Sequence, residues 1–376
     1  MILHDLFEAP PSVYAVENEY QIIVPVKREC LMWVRVGTEE YYDDSNGILR
    51  SASLTHKMIV PMEELDKAKS YTICFRIMGE RLPYFSKTGG VEEMTFGFRC
   101  VEKDYTKPLH VFMISDTHSR INAPVECGKF FADKLDILIL NGDIPDHSGD
   151  IKNFAAFHKI AGWVTNGNLP IVFARGNHDL RGICAEYLAD HTPTRNGNSY
   201  YTFRLGYLWG IVLDCGEDKE DTHEAYGNTI CCHAFRKRET KFLEEVIRNA
   251  DREYNAPGVT RKLVICHVPF SSISKPPFDI EKELYAYWCK LLREEVKPHL
   301  MLCGHKHTSE ISPVGGLYDQ QGQPCTVIVG GKPGPHFTEQ NETALTFSED
   351  RVLVQFTDQD HTVFGEEMLA LPSVKK

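Results

Sequence analysis

The chain has 376 residues, of which 42% are hydrophobic and 25% charged, a composition typical of a folded globular protein with two domains. Its formal net charge of −12 argues against a nucleic-acid-binding surface, because phosphate backbones are bound by clustered Lys and Arg. Residues 1–8 lack the basic and apolar segments of a signal peptide, and no apolar run is long enough to span a membrane. We therefore expect a cytoplasmic protein with no membrane or nucleic-acid partner.

The first hundred residues have the pattern of short antiparallel strands. Tyr20–Val26, Leu31–Val36 and Tyr71–Met78 are strand-length and rich in β-branched and aromatic residues. Turn signals separate them, and no helical pattern intervenes. The sequence predicts a small β-sandwich domain over residues 1–106 and a second domain over residues 107–376. The sandwich has no catalytic constellation, and we expect its His56 at the surface.

Five apolar runs in the second domain each end in residues of the type that binds metals. They are His110–Ser115, Asp136–Leu140, Ile171–Ala174, Leu263–Cys266 and Leu300–Cys303. Uninterrupted apolar runs of this length indicate strands buried on both faces, and such strands form parallel sheets covered by helices. Amphipathic helical patterns, such as 236–252 and 281–296, alternate with them. Because ligands bind beyond the carboxyl ends of parallel strands, a metal site is predicted at one rim of the sheet.

The candidate ligands combine carboxylate, imidazole and amide groups without cysteine. They are Asp116, His118, Asp143, Asn177, His267, His305 and His307. This set suits two divalent ions such as Mn²⁺, Fe²⁺ or Zn²⁺, and seven donors are too many for one tetrahedral ion. Two metals about 3.5–4 Å apart can hold a nucleophilic hydroxide and clamp a phosphoryl group.

The order of these motifs resembles that of the calcineurin-like metallophosphoesterases. D-x-H occurs at 116–118, G-D at 142–143, G-N-H-D at 176–179 and G-H-x-H at 304–307, with His267 between the last two. The resemblance covers about residues 107 to 330. It implies an α/β fold built as a four-layer α/β/β/α sandwich. The strand-rich domain ahead of it, an antiparallel β-sandwich of fibronectin or immunoglobulin type, is similar to the layout of purple acid phosphatases.

The resemblance also implies roles for individual residues. Asp116, His118 and His307 correspond to ligands of one metal, and Asn177, His267 and His305 to ligands of the other, with Asp143 bridging both. A metal-bridging hydroxide would attack phosphorus, and His178 would act as general acid towards the leaving group. Asp146 matches the family's G-D-x-x-D pattern and is expected to supply the carboxylate that orients His178.

Two departures from the family pattern bear on substrate choice. The position of the iron-binding tyrosine of purple acid phosphatases is occupied by Asp146, which argues against a purple ferric centre. The phosphate-binding arginine of Ser/Thr phosphatases is replaced by His147. We therefore take Arg181 as the first candidate for a substrate contact and His147 as a second. The long segment 214–236, with its acidic run 217–221, is expected to shape the substrate pocket.

The predicted function is hydrolysis of a small phosphorylated substrate by a dinuclear-metal phosphoesterase. A phosphomonoesterase is favoured, and a phosphodiesterase acting on a cyclic nucleotide or similar ester is the alternative. A non-catalytic metal-binding scaffold and a two-metal hydrolase acting on a non-phosphate substrate are the remote alternatives. No oligomeric state follows from the sequence.

Overall fold

Antiparallel strands form most of the first hundred residues. The structure, a computed structural model, describes residues 2–372. The first elements are β1 (Ser12–Val16), β2 (Glu19–Pro25), β3 (Cys30–Val36), β4 (Glu39–Tyr42), β5 (Asp44–Ser45), β6 (Ile48–Leu49), β7 (Thr55–Pro61), helix α1 (Met62–Ala68), β8 (Ser70–Ile77) and β9 (Glu92–Gly97). The sheet β4-β3-β8-β9 packs on β2 and β7, burying Val34 and Phe75 against Ile22 and Val60. This is the predicted antiparallel β-sandwich.

Strands and helices alternate through much of the rest of the chain. The strands are β10 (Leu109–Ile114), β11 (Ile137–Asn141), β12 (Pro170–Ala174), β13 (Tyr201–Leu205), β14 (Leu208–Leu213), β15 (Arg261–Cys266), β16 (Leu300–Cys303), β17 (Glu310–Ser312), β18 (Thr326–Val329), β19 (Lys332–Pro333), β20 (Gln340–Phe347), β21 (Arg351–Asp358) and β22 (Val363–Ala370). The helices are α2 (Asn122–Gly128), α3 (Ala155–Thr165), α4 (Leu188–His191), α5 (Cys232–Arg248) and α6 (Lys282–Leu291). Within residues 2–372, no helix has the length and apolar character needed to cross a membrane.

Short helical turns connect several of these elements. The 3₁₀ turns are Ala132–Lys134, Ile151–Phe154, His178–Leu180, Ala185–Tyr187 and Glu224–Tyr226. A π-helical turn, Leu292–Val296, extends α6. The predicted helical patterns at 236–252 and 281–296 therefore correspond to α5 and to α6 with its extension.

Two sheets are stacked face to face. The larger has the order β22-β21-β20-β10-β11-β12-β1-β2-β7, and the smaller β13-β14-β15-β16-β18-β17. Their inner faces share one core that includes Met113, Ile139 and Leu302. Helices α2 and α3 cover the outer face of the larger sheet, and α5 and α6 cover that of the smaller sheet. The predicted four-layer α/β/β/α architecture is confirmed.

The larger sheet extends into the N-terminal sandwich. Strand β1 pairs in parallel with β12, with Val13 opposite Pro170 and Tyr14 opposite Ile171. Strands β2 and β7 then continue the same sheet in antiparallel orientation. The division into residues 1–106 and 107–376 stays a prediction. It falls in the connection between β9 and β10, yet the hydrogen-bonded ladder passes from one part to the other.

The prediction that His56 lies at the surface is wrong. Its side chain is fully buried on β7, with Nδ1 2.7 Å from Oδ2 of Asp43 and Nε2 3.3 Å from Sγ of Cys30. A buried imidazole needs polar partners, and here Cys30 on β3 and Asp43 in the connection between β4 and β5 provide them. The local sequence around His56 contains no sign of either partner.

Candidate metal centre

The candidate ligands meet where strands of both sheets end. The parallel strands β10, β11 and β12 of one sheet end beside β15 and β16 of the other. The loops that follow bring six of the seven predicted ligands into two groups, Asp116 with His118 and His307, and Asp143 with His267 and His305. Within each group the ligand atoms lie within 4.8 Å of one another. The seventh, Asn177, joins the second group, since its Oδ1 is 3.0 Å from Nδ1 of His305.

The two groups adjoin each other. In the first, Nε2 of His307 is 3.2 Å from Oδ1 of Asp116 and 3.0 Å from Nε2 of His118. In the second, Nε2 of His267 is 3.1 Å from Oδ2 of Asp143. The same His267 nitrogen is 3.8 Å from Oδ1 of Asp116 in the first group. The arrangement therefore has the dimensions of a single centre with two neighbouring cation positions.

The chemistry of the donor atoms fits divalent cations. Nδ1 of His267 contacts the carbonyl oxygen of Asn141 at 2.6 Å, so Nε2 is the atom directed at the carboxylates, and it is buried without a hydrogen-bond partner. Burial opposes a charge on this ring, but Asp143 and Asp116 raise the pKa of His267 to about 10. The site thus strongly favours positive charge, which a divalent cation would supply. Oxygen and imidazole donors without thiolates suit Mn, Fe or Zn.

The histidines His118 and His305 are held in the neutral form that binds metals. Burial lowers the pKa of His118 despite the nearby carboxylates of Asp143 and Asp116. Burial, with the adjacent charge of His267, lowers the pKa of His305 to about 4. A neutral imidazole retains the lone pair that a metal needs, so both rings are prepared to act as ligands.

An unusual backbone conformation is concentrated at this centre. Five of the predicted ligands have a left-handed backbone, with φ of 54° at Asp116, 44° at His118, 53° at Asp143, 69° at His305 and 50° at His307. Such a conformation costs a non-glycine residue roughly 1–2 kcal/mol and persists only where surrounding contacts enforce it. Here the amides of residues 116 and 118 donate to the carbonyls of residues 142 and 143. Strain of this kind clusters at functional sites.

Gly304 permits the loops after β10 and β16 to approach closely. A Cβ at this position would overlap Oγ of Ser115 and lie 2.5 Å from Oδ2 of Asp116. The next residue, His305, donates its backbone amide to the same Asp116 oxygen at 2.9 Å. Any side chain at residue 304 would therefore push Asp116 away from its place among the candidate ligands.

His178 lies beside the first group of ligands. Its ring centre is 4.6 Å from that of His118, and its side chain is 26% exposed. Its Nδ1 contacts the main-chain oxygen of Asp146 at 2.8 Å. The Asp146 carboxylate, which was predicted to orient His178, is 3.9 Å from that nitrogen and closer, at 3.3 Å, to Nδ1 of His118. The carbonyl is therefore the nearer contact of His178, and the carboxylate lies between His178 and His118, so its orienting role stays a prediction.

The two candidate substrate contacts occupy different environments. Nη1 of Arg181 is 2.7 Å from Nε2 of His178, so its guanidinium lies at the site. His147 is exposed, and its Nδ1 accepts the backbone amide of Gly149 at 3.0 Å within its own loop. Arg181 is thus brought next to the predicted general acid, whereas the ring of His147 is engaged locally.

Asp179 supports the centre in a way that sequence reasoning did not assign. This buried residue accepts backbone amides at both oxygens, from Ile144 at 3.1 Å and from Gly176 at 2.7 Å. It thereby ties the loop of Asp143 to the loop of Asn177. Burial and the nearby Asp143 carboxylate raise the pKa of Asp179 to about 8. The only signal in the sequence was its place as the last residue of the G-N-H-D motif.

Two solved structures share this fold. The purple acid phosphatase PPD1 from yellow lupin (Lupinus luteus) seeds matches with 13% sequence identity over 96% of this chain and 74% of its own, with a TM-score of 0.61. The structure of PhoD matches with 10% identity over 100% of this chain and 94% of its own, with a TM-score of 0.59. At such low identity the likeness establishes the fold alone.

Sequence comparison identifies the family. No curated protein is significantly similar in sequence to the chain. The family model of the calcineurin-like phosphoesterases matches residues 109–309, which is more than half of the chain and contains all seven candidate ligands. The order of the five motifs predicts the same family, and that prediction is confirmed. The chain belongs to the calcineurin-like phosphoesterase family.

Proposed function

We propose that this protein is a dinuclear-metal-dependent phosphoesterase whose favoured substrates are small phosphomonoesters. The observation that carries the proposal is the meeting of seven oxygen and nitrogen donors in two adjoining groups at the rim of the stacked sheets. Membership of the calcineurin-like phosphoesterase family and the phosphatase named among the structural neighbours support a hydrolase of phosphate esters.

The candidate ligands divide between two cation positions. We assign Asp116, His118 and His307 to one position, Asn177, His267 and His305 to the other, and Asp143 to both. Two divalent ions bound there, Mn, Fe or Zn, would acidify water and polarise the phosphoryl oxygens. The strained loops described above hold these side chains in place before any ion binds, so little reorganisation would accompany metal binding.

His178 is the residue we assign to protonation of the leaving group. Its Nδ1 is held by the Asp146 carbonyl, and its Nε2, which lies 2.7 Å from Nη1 of Arg181, is the atom that would meet the leaving-group oxygen once a bound phosphate takes up Nη1. Asp146 acts through its carboxylate on His118 and through its carbonyl on His178. His147, on the exposed loop beside Asp146, would contact only a larger substrate at the rim.

Arg181 favours a monoester over a diester. The terminal phosphate of a monoester has three unesterified oxygens, and that of a diester has two. An additional guanidinium beside His178 can therefore be matched by an additional acceptor in a monoester. The formal net charge of −12 disfavours long nucleic acids as substrates.

Hydrolysis of two simple esters tests the proposal. The protein reconstituted with Mn²⁺ is assayed on an aryl phosphate monoester and on the corresponding bis-aryl diester, with the bound metal measured by elemental analysis. About two metals per chain and faster turnover of the monoester are expected. Faster turnover of the diester would replace the monoesterase assignment by the phosphodiesterase. Two bound metals without hydrolysis of either ester would leave a metal-binding scaffold.

The Asp143→Asn variant tests the bridging role. Loss of the shared carboxylate should remove at least one metal and abolish turnover, since both cation positions use it.

His178→Ala should keep both metals and slow turnover by about 10²–10⁴-fold. An unchanged rate in His178→Ala would remove its assignment as general acid.

A cytoplasmic location remains part of the proposal. Across residues 2–372, all twelve cysteines are free, including Cys215 and Cys266, whose sulfurs lie only 3.5 Å apart. Free thiols in such proximity are typical of proteins that work in a reducing compartment. Fractionation of cells expressing the tagged protein would check this.

A further inference from the structure

Arg181 is held by a buried carboxylate from a distant part of the chain. Glu217, in the segment that follows β14, is 1% exposed. Its Oε1 accepts from Nε of Arg181 at 2.9 Å, and its Oε2 accepts from Nη2 at 3.0 Å. This is a bidentate pairing of a guanidinium with a carboxylate. It fixes the orientation of the guanidinium as well as its position.

Glu217 is itself held firmly. The hydroxyl of Tyr226 donates to its Oε2 at 3.0 Å and also to Oδ1 of Asp218 at 3.0 Å. The buried Arg236, on α5, donates to the main-chain oxygens of Cys215 and Glu217. The segment carrying the carboxylate is thus tied to a helix of the outer layer and does not depend on Arg181 alone for its position.

The charges of this cluster balance. Oδ1 of Asp218 is 2.7 Å from Nζ of Lys219, and Glu217 pairs with Arg181. Two carboxylates therefore face two cations. Because the net charge is near zero, the effect of Arg181 on a bound phosphate depends on where its N–H groups point, and less on long-range attraction.

The pairing leaves one nitrogen of Arg181 directed at the site. Nε and Nη2 are bound to carboxylates, whereas Nη1 lies 2.7 Å from Nε2 of His178. Nη1 and Nε2 are thus in contact with each other without substrate, and a phosphoryl oxygen that enters between them would accept from Nη1 while lying within reach of Nε2. Both groups would converge on the same part of the substrate.

We propose that Glu217 is a positioning residue, which holds Arg181 so that Nη1 contacts a phosphoryl oxygen beside His178. This inference rests on the proposed function, because it concerns how the same site binds its phosphate. A guanidinium fixed in advance loses less conformational freedom on binding than a mobile one, so the fixed form binds phosphate more tightly. Glu217 does not touch the substrate and acts only through Arg181.

A double-mutant cycle on the Mn²⁺-loaded protein tests this inference. The variants are Glu217→Gln, which removes the charge but keeps the shape, Arg181→Lys, which keeps the charge but removes the planar fork, and the two combined. The primary measurement is the inhibition constant of inorganic phosphate, with KM and kcat for an aryl phosphate beside it. Glu220→Gln is the matched control, since Glu220 is exposed in the same segment.

We expect each single variant to raise the inhibition constant of phosphate by roughly ten- to a hundredfold, as for a lost hydrogen bond to a charged group. The double variant should be no worse than Arg181→Lys, because Glu217 has no route to the phosphate except Arg181. Glu220→Gln should match the wild type. Should Glu217→Gln fail to fold, Glu217→Asp keeps the buried charge, withdraws it by one methylene and should give an intermediate rise.

Two results would overturn the inference while leaving the proposed function intact. One is active wild-type protein whose phosphate inhibition is unchanged in the Glu217 variants. The other is additive losses in the double variant, which would show that Glu217 acts independently of Arg181. A purely stabilising ion pair would also be recognised, because the thermal midpoint would fall while the inhibition constant stayed constant. Metal-loaded wild-type protein that neither hydrolyses esters nor binds phosphate would overturn the proposed function first, and this inference with it.

Discussion

Two buried histidines outside the candidate metal centre predict that the fold is sensitive to acid. His158 on α3 is 3% exposed, and its Nε2 is 3.1 Å from Nδ1 of His191 at the end of α4. Burial, reinforced by His191, lowers the pKa of His158 from 6.5 to about 3. Its Nδ1 has no hydrogen-bond partner, so a second proton there would have no acceptor. Burial likewise lowers the pKa of His191 to about 4.

Acid should destabilise the folded state, because the pKa of each histidine is lower in the folded chain than in the unfolded chain. The unfolded chain protonates these rings near pH 6.5, whereas the folded chain does so only near pH 3 to 4. The contribution of the two histidines to the free energy of unfolding is therefore fully present above pH 6.5. It is lost as the pH drops below that value, because the unfolded state then binds more protons. For His158 alone, the free energy of unfolding should drop by about 2 kcal/mol between pH 7.5 and pH 5.0.

Urea unfolding of His158→Gln measures this contribution. A neutral amide cannot be protonated in this range, so the variant should lose about 2 kcal/mol less than the wild type between the two pH values. Both proteins are measured with a chelator present, so that metal binding does not contribute. His336→Gln serves as control, since that side chain is 75% exposed and its surroundings change little on unfolding. A His158→Gln variant that loses stability as steeply as the wild type would refute this reasoning.

Three further predictions concern the metal centre and the sandwich. Gly304→Ala should weaken Mn²⁺ binding by roughly 10- to 100-fold in calorimetry, because the new methyl group overlaps Ser115 and displaces a candidate ligand. Gly97→Ala is the control: its methyl group meets open space, so this variant should bind Mn²⁺ as the wild type does. Mn²⁺ at a hundred times its dissociation constant should stabilise the wild type by about 2.7 kcal/mol, and Asp143→Asn should show much less of this stabilisation in thermal unfolding. His56→Ala should destabilise the fold by roughly 3 kcal/mol in urea, because it removes the nearest partner of the buried Asp43 carboxylate and leaves it only Nε of Arg50, 3.7 Å away.

The strand ends and their ligands were accessible from sequence because the signal is local. A buried strand followed at once by a metal-binding residue occupies fewer than ten residues, and the five runs that end near Asp116, Asp143, Asn177, His267 and His305 each have this form. Parallel pairing aligns three of these ends in the larger sheet and two in the smaller, and the stacking of the two sheets brings all five together. The local pattern was therefore sufficient to predict the composition of the candidate centre, whereas the four layers were predicted from the resemblance to a known family.

The features that the sequence did not predict depend on contacts between residues distant in the chain. The pairing of Arg181 with Glu217 spans 36 residues, and that of His56 with Asp43 joins β7 to the residue between β4 and β5. The acidic run 217–221 marked the segment as notable, but nothing in it distinguished the buried Glu217 from the exposed Glu220. Such contacts are set by tertiary packing, which has no periodic pattern in sequence.

The parallel pairing of β1 with β12 makes the N-terminal region a support for the strand that precedes Asn177 and His178. Rotation of that region as a separate body would have to break main-chain hydrogen bonds of this ladder. A chain reduced to residues 107–376 would leave β12 as an open edge, with a row of free amides and carbonyls able to recruit a strand from another molecule. Removal of the sandwich should therefore promote self-association and loosen the loop that follows β12.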